Sequence, residues 1–205
     1  MIRITGGLWR GRKLRTPEGD ATRPTPAMVR AALFNILGDT VMGCVFCDLY
    51  AGSGVIGIEA LSRGAARAVF VETAHRPLAC LRANLEMLGC PDAAHSRAPR
   101  TSPAQCFARR LPGWLTTPEF LQTVDSPDAP VVIFLDPPYR ENLAAETLDA
   151  LALGPNPPLD AVCVAQTEKE AQMPQAKGAW ALRRRYPYGD TALWVYGPGE
   201  NQENR

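Results

Sequence analysis

Five apolar residues, Val131 to Leu135, run straight into Asp136-Pro137-Pro138-Tyr139. A run that short and that uniformly apolar reads as a strand buried on both faces, the kind found in parallel sheets covered by helices. The rest of the chain repeats the theme. CVFCDLY (44–50), AVFVE (68–72) and AVCVAQT (161–167) are further apolar runs, and segments of helical period lie between them. Repeated β-α units predict an α/β, Rossmann-like fold: a mostly parallel seven-stranded sheet with helices on both faces. WALRRRYPYGDTALWVYG (180–197) predicts an antiparallel C-terminal hairpin on the sheet edge.

Before this core stands a different kind of segment. In residues 1–20, apolar and basic residues alternate around Gly6-Gly7 and Gly11, which predicts a β-hairpin with a turn at 17–20. RPTPAMVRAALFNILG then predicts a helix capped by Thr25 and starting at Pro26, with Met28, Val29, Ala32, Leu33 and Ile36 as its apolar stripe and Gly38 closing it. The expected organisation is a basic extension over 1–40, an α/β domain over 41–198 and a frayed tail over 199–205. Within the domain, a helix is expected over 76–88 on Leu78, Leu81, Leu85 and Leu88. A weak strand is expected near 94–98, a short helix near 103–111, and loops over 112–130 and 154–158.

The overall charge of +1 hides an asymmetry. Residues 1–30 carry seven basic groups (Arg3, Arg10, Arg12, Lys13, Arg15, Arg23, Arg30) against Glu18 and Asp20. A basic end on a near-neutral body suits a polyanionic partner, although a solvated surface strand would read the same way. No apolar run approaches the roughly 20 residues of a membrane-spanning helix, and the N-terminus lacks a signal-peptide core, so the expected compartment is the cytoplasm. Six cysteines are scattered, and the C-x-x-C pair Cys44/Cys47 sits inside an apolar strand, which predicts buried thiols rather than a metal or redox site. The two histidines lie apart, and no metal site is expected.

Three features fall at the carboxyl ends of predicted strands, the edge where open α/β sheets bind ligands. Asp48-Leu-Tyr50-Ala51-Gly52-Ser53-Gly54 follows the first strand of the βαβ unit, Glu72 follows the second, and Asp136-Pro-Pro-Tyr139 ends the fourth. The glycines allow close backbone approach, and Glu72 stands where a carboxylate can accept from a pair of ribose hydroxyls. The combination closely resembles the S-adenosylmethionine-dependent amino-methyltransferases. That resemblance implies S-adenosyl-L-methionine as cofactor, held by Asp48, Tyr50, Ala51, Gly52, Ser53, Gly54 and Glu72. It implies Asp136, Pro137, Pro138 and Tyr139 as catalytic residues. The Asp136 carboxylate and Pro137 carbonyl would accept the hydrogens of an exocyclic amine, and Tyr139 would stack on its ring. The two prolines would hold these groups in place.

Such a motif also fits adenine-N6 enzymes acting on DNA or RNA. GGLWRGRKL, RPTPAMVRAALFNIL, DLYAGSGVIGIEALSRGA and IFLDPPY, spread from Ile2 to about Tyr196, resemble the RsmD family of bacterial 16S rRNA guanine-N2 methyltransferases. Membership implies 16S rRNA within an assembling 30S particle as partner, a monomeric enzyme, and Arg10, Arg12, Lys13, Arg23 and Arg30 as RNA-binding residues. A non-catalytic ribosome-assembly factor on the same fold is the reading from another class. Two positions depart from the family pattern. No acid follows the third strand in AHSRAPRTSPAQCF, where Gln105 or backbone groups could substitute, and Ala31 replaces an acid on the first helix near Asn35.

Overall fold

The structure is a computed structural model and describes residues 2–17, 25–93, 102–138, 142–154, 157 and 160–199. Two compact units divide the chain, Met1–Arg109 and Arg110–Arg205.

In the first unit, strands β1 (Ile2–Arg3) and β2 (Lys13–Leu14) pair antiparallel as a small sheet of their own, the expected N-terminal hairpin. Part of the turn expected at 17–20 lies outside the described residues. Helix α1 covers Ala27–Leu37, with Pro26 in the N-cap position and no side-chain cap, so Thr25 does not cap it. Its buried face is Val29, Arg30, Leu33, Phe34 and Leu37, while Met28 is 63 % exposed. Of the expected stripe, Val29 and Leu33 are buried, Ala32 and Ile36 are half-buried and Met28 is out. The stripe left out Arg30 because an arginine reads as a solvent residue. Arg30 instead faces inward, which rotates the helix. Gly38 closes the helix at φ +52°, as expected.

Strands β3 (Val45–Leu49), β4 (Arg67–Val71) and β5 (Ala104–Phe107) lie parallel in the order β5-β4-β3. Helix α2 (Val55–Ser62) connects the first two, and α3 (His75–Met87) follows the second, with Leu78, Leu81 and Leu85 buried. The third parallel strand is thus the AQCF segment, where a helix was expected. Its alternating buried and half-buried residues follow a strand period, and pairing with the buried β4 decides the matter. The weak strand expected at 94–98 falls outside the described residues.

In the second unit, a 3-10 turn (Gly113–Thr116) and helix α4 (Pro118–Val124) occupy part of the stretch expected to be loop. Thr117 caps α4 by accepting from the Phe120 amide, and Pro118 opens it, a start signal masked by the surrounding prolines. Strand β6 (Val131–Leu135) is buried throughout and runs parallel to β7 (Val162–Glu168), with α5 (Leu143–Ala152) between them in sequence. The chain ends with β8 (Ala176–Lys177), β9 (Trp180–Tyr188) and β10 (Thr191–Pro198). Strand β10 pairs antiparallel with both β7 and β9, giving the order β6-β7-β10-β9-β8. Parallel βαβ strands closed by an antiparallel C-terminal hairpin are the expected Rossmann-like class.

All six cysteines are free thiols, five of them buried, in line with a packing role. Burial pushes Cys44 and Cys47 up to about 12. Among the described residues no cluster of His, Cys, Asp or Glu could hold a metal ion, and no helix is long and apolar enough to cross a membrane.

Candidate active site

The turn after β3 is built from backbone conformations that few side chains accept. Tyr50 sits at φ +67°, and Gly52 and Gly54 at +55° and +78°. A left-handed tyrosine costs on the order of 1 kcal/mol or more, and such strain concentrates at binding sites. At Gly54 the limit is packing, because an added Cβ would come within 2.2 Å of the Leu81 side chain. At Gly52 a Cβ would meet nothing within 4 Å, so the backbone there borders open space. Ala51 ties the turn to β4 by donating its amide to the Val71 carbonyl at 2.9 Å.

Three polar side chains hold this turn. Asp48 is 2 % exposed, and its Oδ2 accepts from the Gly57 amide at 2.9 Å, a negative charge under the first turn of α2. It therefore braces the loop from below. Glu72 accepts from the Gly52 amide at 2.9 Å through Oε2 and from the Ala74 amide at 2.7 Å through Oε1. A carboxylate has roughly four acceptor positions, so two backbone donors orient Glu72 without exhausting it. Asn84 was not foreseen. Buried on α3, it donates through Nδ2 to the Ser53 carbonyl and the Arg15 carbonyl, each at 3.1 Å, and accepts from the Arg15 amide at 2.8 Å. One side chain thus links the glycine turn to the N-terminal segment. Its signal was a polar residue interrupting the apolar face of Leu78, Leu81 and Leu85.

The N-terminal hairpin is held by a buried charge cluster on α2. Glu59 is fully buried, and its Oε1 meets Arg63 Nη2 at 2.8 Å. Its Oε2 accepts from the Thr5 amide at 3.2 Å and lies 3.5 Å from Arg30 Nε. The Thr5 hydroxyl donates to the same carboxylate. Arg30, 3 % exposed, also donates to the Thr25 carbonyl at 2.8 Å and the Arg3 carbonyl at 2.7 Å. Burial lowers its pKa from the usual value, and Glu59 opposes that shift. Arg30 was expected to bind RNA; with every contact directed inward, it is a structural cation instead. Arg10, Arg12 and Lys13 are exposed, as an RNA contact requires, and Arg23 lies outside the described residues. Asn35 is exposed on α1.

In the second unit Asp136 follows β6 directly. It is half-buried, with Pro137 buried and Pro138 exposed. Gln166, on β7 and 3 % exposed, donates its amide to Asp136 Oδ1 at 3.0 Å. That bond sets the orientation of the carboxylate at the end of β6. Gln166 was missed because a polar residue late in an apolar strand reads as the strand's end. Tyr139 lies outside the described residues. No acid follows β5, since Phe107 leads into Ala108-Arg109-Arg110. Gln105 lies within β5 itself.

Against this geometry, comparisons with known proteins are specific. A family model described as Conserved hypothetical protein 95 matches residues 2–112 and 115–197. The chain belongs to this family, the RsmD family. Ribosomal RNA small subunit methyltransferase D of Escherichia coli strain K12 is 33 % identical over 195 residues, covering 95 % of this chain and 89 % of that protein. Its namesake in Haemophilus influenzae is 31 % identical over 199 residues, covering 95 % and 93 %. The solved structure of yhhF from Escherichia coli superposes with a TM-score of 0.75 at 31 % identity, over 97 % of this chain and 98 % of that one. An RNA methyltransferase from Salinibacter ruber, solved with S-adenosyl-L-homocysteine, shares the fold at 17 % identity, with a TM-score of 0.54 and coverage of 89 % and 98 %.

As an RsmD-family member the chain is an S-adenosylmethionine-dependent methyltransferase of the Rossmann-like class. The residues present fit that cofactor. Open space borders Gly52, and the doubly anchored Glu72 carboxylate presents acceptors beside the turn.

Proposed function

We propose that the protein methylates the exocyclic N2 amine of a guanine in 16S rRNA, acting as a monomer in the cytoplasm on an assembling small-subunit particle. The observation that carries this reading is Asp136, fixed at the end of β6 by the Gln166 amide inside Asp-Pro-Pro-Tyr. An aromatic amine is a weak nucleophile because its lone pair is spread into the ring. Asp136 and the Pro137 carbonyl accept its two hydrogens, which bends the nitrogen toward a tetrahedral shape and localises the lone pair. Bound S-adenosylmethionine supplies an electrophilic methyl group on a sulfonium sulfur. Asp136 then takes the proton the nitrogen must lose, directly or through water. Pro137 and Pro138 keep the acceptors from relaxing, and Tyr139 stacks on the base.

Glu72 binds the ribose hydroxyls of the cofactor, and Tyr50, Ala51, Gly52, Ser53 and Gly54 border it, with Asp48 and Asn84 maintaining the turn. Arg10, Arg12, Lys13 and Arg23 grip the RNA backbone from the N-terminal extension, which residues 1–40 form against a catalytic domain over 41–198. An unpaired loop base is the economical target, because it costs least to turn out of a stack.

The test is to incubate the protein with methyl-labelled S-adenosylmethionine and undermethylated 30S particles, then digest the RNA to nucleosides. Label in N2-methylguanosine, abolished by Asp136→Ala, is the expected result. Label in N6-methyladenosine would assign the motif to an adenine enzyme. Full activity in Asp136→Ala would overturn the role given to that carboxylate.

A further inference from the structure

Strand β9 carries three consecutive arginines, Arg183, Arg184 and Arg185, followed by Tyr186 and Tyr188. All three arginines are exposed and both tyrosines half-buried. Among the described residues, β9 has β8 beside it only at Trp180 and Ala181, so Arg183–Tyr188 forms a sheet edge.

Register decides where these side chains point. Residues paired across antiparallel strands share a face. Tyr186 pairs with Leu193 of β10, and Leu193 pairs with Gln166 of β7. Gln166, Leu193 and Tyr186 therefore form one row across three strands, level with the residue that holds Asp136. Two strand spacings separate Gln166 from Tyr186, roughly 10 Å. Arg184, opposite Val195, and Tyr188, opposite Thr191, lie on that same face. The Arg184 guanidinium rests over the Tyr186 ring at 5.0 Å from its centre.

A bulge strengthens the arrangement. Arg184 faces Val195 while Leu182 faces Tyr196, which leaves Arg183 as the extra residue. Its side chain falls over Gly197, where an added Cβ would come within 3.1 Å of Arg183 Nε. Gly197 shares the face of Val195, so the bulge turns a second arginine to the tyrosine side. Arg185 takes the opposite face, with its guanidinium over Trp194 at 4.9 Å.

Charged edge strands often serve only to block pairing with other chains. The charges and the bulge would both serve that purpose, but it needs no aromatic ring beneath the cation. Cations interleaved with aromatic rings are the surface that single-stranded nucleic acid binds, with phosphates on the guanidinium groups and bases on the rings. Building on the function proposed above, we infer that the Arg183, Arg184, Tyr186 and Tyr188 face of β9 is a second RNA contact, holding the single-stranded nucleotides that flank the target guanine. The N-terminal cations are then not the enzyme's sole hold on RNA.

The experiment measures KM for undermethylated 30S particles in Arg184→Ala, Tyr186→Ala and Tyr186→Phe, with Lys177→Ala as control. Lys177 is a cation of the same unit paired with Asp149 at 3.1 Å. Tyr186→Ala is expected to raise the particle KM about tenfold, the scale of one lost base stack, and Tyr186→Phe to restore it. Arg184→Ala should raise that KM and flatten its dependence on log salt by about 0.7, the value of one phosphate contact on a single strand. KM for S-adenosylmethionine and the melting temperature should hold in each. A particle KM within twofold of wild type for both alanine variants overturns the inference, as does an equal rise in Lys177→Ala. Aggregation with unchanged KM would mark β9 as a protected edge and also overturns it. Failure of the functional reading looks different, because wild type itself would then make no N2-methylguanosine.

Discussion

Glu59 and Asp136 are both carboxylates held by polar partners, and they illustrate two uses of an acid. Glu59, in the first unit, is fully buried and receives Arg63, Arg30 and both polar groups of Thr5. Asp136, in the second, is half-buried at a strand end and receives a neutral amide. An acid surrounded by cations has its charge consumed by the architecture. A half-buried acid at a strand end stays within reach of a ligand. Burial, more than residue type, separates the carboxylate spent on structure from the one proposed to react.

The largest effect expected from this contrast is on stability. Glu59→Ala would leave the Arg30 guanidinium buried without its counter-charge, and breaking a buried pair in that way costs about 3–5 kcal/mol. For a chain of this size the melting temperature should fall by roughly 10 °C, which calorimetry or urea unfolding would register. A fall of less than about 2 °C would mean that water or backbone already satisfies Arg30, and the contrast with Asp136 would lose its basis.

Gln166→Leu tests the other half. Leucine fills similar volume and removes a buried polar group, so the fold should tolerate it, while Asp136 loses the donor on Oδ1. Hydrogen bonds to charged groups are worth about 1.5–3 kcal/mol, so kcat should drop at least tenfold. In the proposed mechanism Gln166 acts through Asp136 as a positioning residue, so kcat should fall while KM for S-adenosylmethionine stays put. Unchanged kcat would show that the carboxylate keeps its place without Gln166.

The same contrast explains what could be read from the sequence. Buried strands β3, β4, β6 and β7 were legible because uniform apolar runs of that length have few alternatives. The glycine turn, Glu72 and Asp136 were legible because each follows such a strand. Arg30 was misread because its partner, Glu59, lies on another helix, and sequence patterning prices an unpaired arginine as a surface group. The registration of α1 failed with it. Strand β5 was missed because AQCF is short and mixed, and its strand character comes from pairing with β4. Gln166 and Asn84 are long-range supports whose partners, 30 and 31 residues away, have no local signature. The arginine face of β9 escaped because it depends on a bulge and on register across three strands.

The smallest effect concerns groups that burial silences. The Cys44 and Cys47 thiols are raised from 9.0 to about 12 and Cys90 to about 11, with burial as the leading cause. The native state therefore keeps these protons where an unfolded chain would shed them. Their contribution to stability is full below pH 9 and is lost as pH rises toward about 12, with a slope of up to about 1.4 kcal/mol per pH unit for each thiol. Urea midpoints should be flat between pH 7 and 8.5 and decline above 9, and the decline should be shallower in a Cys44→Ala/Cys47→Ala variant. Iodoacetamide at pH 8 should label Cys80, which is partly exposed, and reach the other five only after unfolding. Rapid native-state labelling of Cys47 would show that β3 opens to solvent. The strand that carries the glycine turn would then be too loose to keep Tyr50 in its strained conformation, and burial could not be what separates structural acids from reactive ones.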